Sequence, residues 1–322
     1  MSASTQHVFK AGTRNVGLSS TYVCLGIMVL LWGGSWPVTK LALQSVPPLW
    51  LATIRFASAA VCLFAYLVAR GQLKLPTRQD LPIIASVGLL QMMAFTGLGM
   101  VAMVHVDTSR AVLLAYTTPL WCVLVAWVIF REKPSRLQLV GLVVGMGGVI
   151  AVCAPGELDW TQRDTVLGAG FLLLAALSWA IVILHVKRHR WVTPALVLAP
   201  WQMLLATIPL AMAAYLSEGS PLSIVVDRKL AEALFFIGPI ATSACFVISA
   251  EYGRRISTFG MSNFTLGVPL VGTAFSCMAF AATVSPLFLG GLGLVILGVV
   301  VSALASRSGR GRINSVDAEL AR

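Results

Sequence analysis

The chain has 322 residues, 58% of them hydrophobic and only 11% charged, against the roughly 25% charged residues of a soluble globular domain. A mean hydropathy of +0.87 over the whole length excludes a soluble body carrying a single anchor. The formal net charge of +11 is scattered between apolar runs, which excludes the gathered basic face that nucleic-acid binding requires.

A hydrocarbon core about 30 Å thick takes ~20 apolar residues per helical crossing. Cutting the chain at its charges and at proline or glycine clusters predicts membrane helices at 21–43, 48–69, 82–103, 109–130, 136–154, 166–186, 195–217, 230–250, 258–280 and 286–305. This all-α membrane layout leaves no room for an extramembrane catalytic domain. Residues 1–20 read as a polar, weakly basic tail. The apolar run after them is longer than a signal-peptide core and has no convincing cleavage site, so the first helix is predicted to be retained. An even number of spans puts both termini on one side. Counted by loop and adjoining span end, with Lys40 and Arg55 left out, 17 Lys and Arg fall on that side and 4 on the other, which predicts that both termini are cytoplasmic. The six cysteines lie in or at the ends of apolar spans without C-x-x-C or zinc spacing, so they read as small hydrophobes and no metal or cofactor is expected.

In the first span, Gly33-Gly34 and Pro37 are helix breakers that can free carbonyls or absorb motion, Trp32 and Trp36 share a face one turn apart, and Lys40 lies near the end. Lys40 can either snorkel to the headgroups or face protein. Arg55 sits about seven residues, roughly 10 Å, inside the second span. That depth favours a cavity-facing or carbonyl-bound guanidinium, because a charge in lipid costs a few kcal/mol even on permissive scales. Gln91 in the third span, Tyr116 in the fourth, Gln202 in the seventh and Asn263 in the ninth can contact a zwitterion or sugar. Each can equally be interhelical glue worth about 0.6 kcal/mol. Trp179 lies within the sixth span, too deep for the interfacial belt where Trp50, Trp160 and Trp191 fit. Pro119 and Pro269 fall within the fourth and ninth spans. The run Gly141, Gly145 and Gly148 supports close helix packing, against the bundle rather than across a dimer.

The second half repeats the first. At an offset of 147, Trp32 meets Trp179, Lys40 meets Lys187 and Pro47 meets Pro194; at 150, Pro119-Leu120 meets Pro269-Leu270, and Ser135, Gly141 and Gly148 meet Ser285, Gly291 and Gly298. Five spans per half is odd, so the repeat is inverted, the recurring plan of secondary transporters with a site near the midplane.

These residues carry a specific resemblance. Leu31-Trp32-Gly33-Gly34-Ser35-Trp36-Pro37-Val38-Thr39-Lys40, then Pro47-Pro48 and Arg55-Phe56, resembles the opening of the EamA domains of the drug/metabolite transporter superfamily. Thr108-Ser109, Pro119, Arg131-Glu132-Lys133-Pro134 and the glycine run continue it, and Ala176-Leu177-Ser178-Trp179-Ala180 resembles the start of a second unit. The loop Ala281 to Ser285 departs from the family in lacking its usual glutamate. The resemblance implies a first EamA repeat at 21–154, a periplasmic connector at 155–165, a second repeat at 166–305 and a cytoplasmic C-tail at 306–322. It also implies a central cavity lined by spans one to four and six to nine, in a multi-pass carrier of the bacterial inner membrane, a monomer or a homodimer. Its cargo would be a small metabolite, foremost neutral or aromatic amino acids; drugs and nucleosides are the alternative. The expected substrate-contacting residues are Trp32, Trp36, Arg55, Gln91, Tyr116, Trp179, Gln202 and Asn263, and the gating or hinge positions are Pro37, Lys40, Pro119 and Pro269.

Absences narrow the mechanism. All twelve acids lie in loops, tails or span ends. A midplane proton or sodium site usually uses a carboxylate, so uncoupled transport or exchange is favoured over a carboxylate-based antiporter. An intramembrane enzyme needs a clustered nucleophile or metal set at membrane depth, which four scattered histidines do not supply.

Overall fold

The computed structural model describes residues 18–154, 159, 161–252, 258–280, 285–301 and 304, with side chains described for these except at 18–19, 250–251 and 258–266. The described residues contain helices and no strand. We number the helices α1 (Leu18–Ala42), α2 (Pro48–Ala69), α3 (Leu81–His105), α4 (Thr108–Val128), α5 (Arg136–Val152), α6 (Arg163–Arg188), α7 (Ala195–Glu218), α8 (Arg228–Ser249), α9 (Thr258–Phe280) and α10 (Pro286–Val301). Among the described residues, α1 to α4 and α6 to α8 are long and apolar enough to cross a membrane, and the remaining apolar helical stretches are shorter. The bounds lie within about four residues of the predicted spans because charged and proline-bearing loops terminate each run in both readings.

Backbone groups in lipid must be satisfied within the helix, which makes each departure from regular helix informative. In α4 the helix breaks at Tyr116-Thr117. Pro119 has no N–H to offer the Ala115 carbonyl, and the Thr118 hydroxyl donates to it instead at 2.8 Å, while Thr117 donates to Leu114 O at 2.6 Å. Pro269 has no such pair of threonines before it, only Gly267-Val268, and α9 stays helical through it. The two prolines, matched in sequence, therefore differ in effect: Pro119 breaks its helix and Pro269 does not. Pro37 likewise sits within an unbroken α1.

Two helices contain π-helical stretches, Ser86–Phe95 in α3 and Phe236–Ala244 in α8, starting 150 residues apart. The packing pairs off in the same way. The α1–α9 contact has its counterpart in α6–α4, α3–α6 in α8–α1, and α3–α7 in α8–α2, while α2 and α7 lie along each other. At two of these crossings a glycine meets backbone: a Cβ on Gly88 would lie 2.9 Å from Gln202 O, and one on Gly238 3.2 Å from Arg55 O and 2.0 Å from Ser58 Oγ. The helices α5 and α10 approach as closely. A Cβ on Gly148 would meet Gly291 O at 2.6 Å, and one on Gly298 would meet Gly141 O at 2.5 Å. The glycine run thus packs within the bundle.

Charges at the helix ends tie α2 to its neighbours. Glu218, at the end of α7, accepts from the N–H groups of Leu49 (2.8 Å) and Trp50 (3.0 Å) in the first turn of α2, where a carboxylate satisfies orphan donors and the helix dipole. At the opposite end Asp80, fully buried, accepts from the N–H and hydroxyl of Thr77 (2.9 and 2.7 Å) and from the hydroxyl of Thr193 (2.8 Å), joining the α2–α3 loop to the α6–α7 loop. Burial pushes the Asp80 carboxyl up, but these hydrogen bonds outweigh it and hold the group below its ordinary value. A carboxyl depressed on folding stabilises above its unfolded value of about 4, and that contribution is lost as pH falls through the folded value. Asp80→Asn should therefore lower thermal stability in detergent by about 1–3 kcal/mol at neutral pH. The gap from the unmutated protein should close on acidification below about pH 4; a pH-independent gap would assign the loss to packing.

Candidate functional site

A central cavity, about 880 Å³ with the open space at its mouth included, lies within the bundle and opens at one end. Its lining follows α1 from Trp32 to Thr39 and α3 from Gln91 to Met103, so it extends from the middle of the bundle to the end where α1 and α3 finish. Among the described residues, all of the lining but Trp179, Thr242 and Phe246 comes from the first half of the chain.

The walls are aromatic. Because α4 breaks at Tyr116, that ring turns into the cavity, with centroids 6.3 Å from Trp36 and 5.9 Å from Trp179, the latter edge-on; Trp179 continues the wall to Phe95 at 4.9 Å. Trp32, Ser35, Trp36 and Thr39 recur at helical spacing and form one face of α1. Ser35 and Thr39 donate their hydroxyls to the α1 carbonyls Trp32 O (2.7 Å) and Ser35 O (2.6 Å), which leaves them to the cavity as acceptors.

The cation of the cavity is Arg55. Its Nε donates to Thr242 Oγ1 at 2.9 Å, and that hydroxyl donates to Ile237 O at 2.8 Å, five residues back along the π stretch of α8. Ser243 Oγ donates to Ala59 O at 3.0 Å, a second stitch between α8 and α2. Among the described residues no carboxylate pairs with Arg55 and none lines the cavity.

Lys40 does not snorkel. Its Nζ donates to Met103 O in the last turn of α3 and, at 3.4 Å, to the O of its C-cap residue Val106, where a cation meets the negative end of the helix dipole. Since Met103 lines the cavity, Lys40 ties α1 to the cavity wall at its mouth.

The structure therefore brings Trp32, Trp36, Arg55, Gln91, Tyr116 and Trp179 around one cavity. Gln202 is not there. It is 3% exposed, and its carbonyl lies against Gly88 where α7 crosses α3. The Asn263 side chain lies outside the described residues. The single Ser178 hydroxyl acts as glue, reaching Ala175 O (2.7 Å) and Leu90 O (3.1 Å). Sequence reasoning missed Ser35, Thr39, Phe95, Thr96, Thr242 and Phe246. The helical spacing of Ser35 and Thr39 with the two tryptophans was an available signal. Thr242 had none, because its role depends on the rotation that a π stretch imposes.

Replacing Arg55 by Ala should cut substrate flux at least ~10-fold, the effect of one charge-assisted contact, at unchanged expression; full flux in reconstituted vesicles would remove Arg55 from the transport path.

Residues 20–154 match the EamA-like transporter family. Relatives align over most of their length. The "Uncharacterized transporter YoaV" of Bacillus subtilis (strain 168) is 23% identical over 87% of this chain and 96% of its own. The "Uncharacterized inner membrane transporter YedA" of Escherichia coli (strain K12) is 25% identical over 86% and 88%. The "Probable amino-acid metabolite efflux pump" of Salmonella typhimurium (strain LT2) is 25% identical over 87% and 94%. A solved crystal structure 20% identical in sequence superposes with a TM-score of 0.61 over 90% of this chain and 97% of that one, which establishes a shared fold.

Proposed function

We propose that this chain, an EamA-type transporter of the drug/metabolite transporter superfamily, exports neutral or aromatic amino acids or close metabolites across the bacterial inner membrane by alternating access, without a coupling ion. The observation that carries the reading is Arg55 set among Trp36, Tyr116, Trp179 and Phe95: one guanidinium for a carboxylate and aromatic walls for an apolar body. The names of relatives support it, one set being probable amino-acid metabolite efflux pumps and another inner membrane transporters. Trp32, Gln91 and, from the ninth span, Asn263 complete the substrate contacts in this reading, whereas Gln202 supports them from the helix crossing behind.

The reading takes ten spans as two inverted five-helix repeats, 21–154 and 166–305, with both termini in the cytoplasm. The π stretches 150 residues apart and the glycine contacts of Gly88 and Gly238 support the repeat. In that orientation the mouth near Lys40 faces the periplasm, and the Asp80 end is the closed cytoplasmic side. Reaching the inward-open state would break the Asp80 end and close the Lys40 end. The π stretches supply irregular turns about which α3 and α8 can rewind, the break before Pro119 supplies a hinge in α4, and Pro37 and Pro269 mark positions where α1 and α9 lack a helix hydrogen bond and can bend. The absence of a cavity carboxylate among the described residues favours transport that needs no proton.

Purified protein in proteoliposomes should catalyse saturable counterflow of labelled neutral and aromatic amino acids at the same rate with and without a pH gradient. Flux that requires the gradient would overturn the uncoupled mechanism. Flux of no amino acid would overturn the cargo and turn the search to drugs and nucleosides.

A further inference from the structure

The charge sum of the cavity has a consequence for specificity. Arg55 contributes the formal charge, and among the described lining residues no carboxylate offsets it. Lys40, next to the lining residue Thr39, does not itself line the cavity; its Nζ is held by neutral carbonyls at the mouth and stays outside the sum taken at Arg55. The nearby acid, Asp107, is exposed and already paired with Arg110 at 2.6 Å. The hydroxyls of Ser35, Thr39 and Thr242 spend their protons on helix carbonyls and present lone pairs only. Such acceptors can take a hydrogen bond from an ammonium but cannot cancel its charge. Beside Arg55 a bound monocarboxylate brings the site to zero, a zwitterion leaves it at +1, and an amine raises it to +2. Uncancelled charge away from water is costly, and the cost grows with each added unit. Cation–π contact with Trp36 or Trp179 attracts an ammonium modestly, against repulsion from a guanidinium in the same enclosure.

We propose that the cavity selects net-negative monocarboxylates with an apolar or aromatic body over zwitterions of the same shape, and that Arg55 is the residue that sets this charge preference. The inference rests on the cavity being the substrate site. It ranks deaminated relatives of aromatic amino acids above the amino acids themselves.

Three molecules of one shape test it: 3-phenylpropionate, phenylalanine and phenethylamine, each as unlabelled competitor of labelled phenylalanine counterflow at neutral pH. The unmutated protein should be inhibited by 3-phenylpropionate at a concentration about tenfold lower than by phenylalanine, and phenethylamine should not compete. Arg55→Gln, which brings the site to zero when empty, should reverse the order of the first two. Arg55→Lys should keep it. Phenylalanine competing as well as or better than 3-phenylpropionate in the unmutated protein would overturn the proposal, as would an unchanged order in Arg55→Gln. If phenylalanine is not transported, the amino-acid reading fails on its own. The ranking is then read from quenching of tryptophan fluorescence, since Trp32, Trp36 and Trp179 form the walls; 3-phenylpropionate binding without phenylalanine binding supports the proposal, and binding of none of the three overturns it. Should Arg55→Gln fail to fold, the ranking in the unmutated protein and in Arg55→Lys decides.

Discussion

A guanidinium inside an apolar helical bundle, with no acid beside it among the described residues, is the constraint around which the rest of the structure is arranged. Such a group is tolerated only where protein or water solvates it, and the fold supplies both: a cavity on one side and the Thr242 hydroxyl on the other. That hydroxyl is in place because α8 runs as a π helix there, with the Thr242 hydroxyl bonded to the carbonyl five residues earlier. It is within reach because Gly238, lacking a Cβ, lets α8 lie against the carbonyl of Arg55 itself. One charge thus accounts for a helix irregularity, a glycine and a threonine that would otherwise be unrelated.

The counterpart crossing shows what the same backbone does without the charge. There α3 has its π stretch and Gly88 approaches the carbonyl of Gln202, which lies 147 residues after Arg55. Met92 stands where Thr242 stands in α8, 150 residues earlier, and Gln202 is packed out of the cavity. The backbone pattern is shared and the side-chain chemistry is not. Among the described residues most of the cavity's polar lining accordingly belongs to the first half, since the positions corresponding to Ser35, Trp36, Thr39 and Gln91 are Val182, Ile183, Val186 and Ala241. Geometry and chemistry are thus divided at the two crossings: the π stretch and the glycine recur, and the side chains beside them do not.

This division also explains how much could be read from the sequence. Helix positions follow from apolar run length, a local property, and came out within a few residues. Arg55, Trp32, Trp36, Tyr116 and Trp179 stood out because a charge or a large aromatic residue deep in an apolar span needs a reason wherever the helix faces. Gln202 gave the same local signal and lies elsewhere, because a lone amide can be accommodated equally by a cavity or by a helix crossing, and only the packing decides. The Lys40 contact was hidden for a related reason: its partners are carbonyls of another helix, which no side-chain pattern records. Pro119 and Pro269 matched in sequence, yet their effects depend on the residues before them, Thr117-Thr118 in one case and Gly267-Val268 in the other. The π stretches left no compositional trace beyond Gly88 and Gly238.

The strongest polar contacts lie at the helix ends, and this bears on how the bundle can move. Glu218 on the first turn of α2, Asp80 between two loops and Lys40 on the last turn of α3 are each a charge satisfied by polar groups at an end of the bundle. The middle, by contrast, is held by small residues, hydroxyls and aromatic edges, whose individual energies in a membrane are small. A bundle fastened this way resists separation at both ends and yields most easily about its centre. Charge-assisted hydrogen bonds can be exchanged for water when an end opens, because the ends lie near the aqueous phase. Arg55, at its depth, meets water only through the cavity. Whatever motion opens one end and closes the other therefore has to keep that guanidinium solvated throughout, by Thr242, by water in the cavity or by the anion of a substrate. In the proposed reading, the group that holds the substrate is thereby also the one that makes an empty, closed site costly.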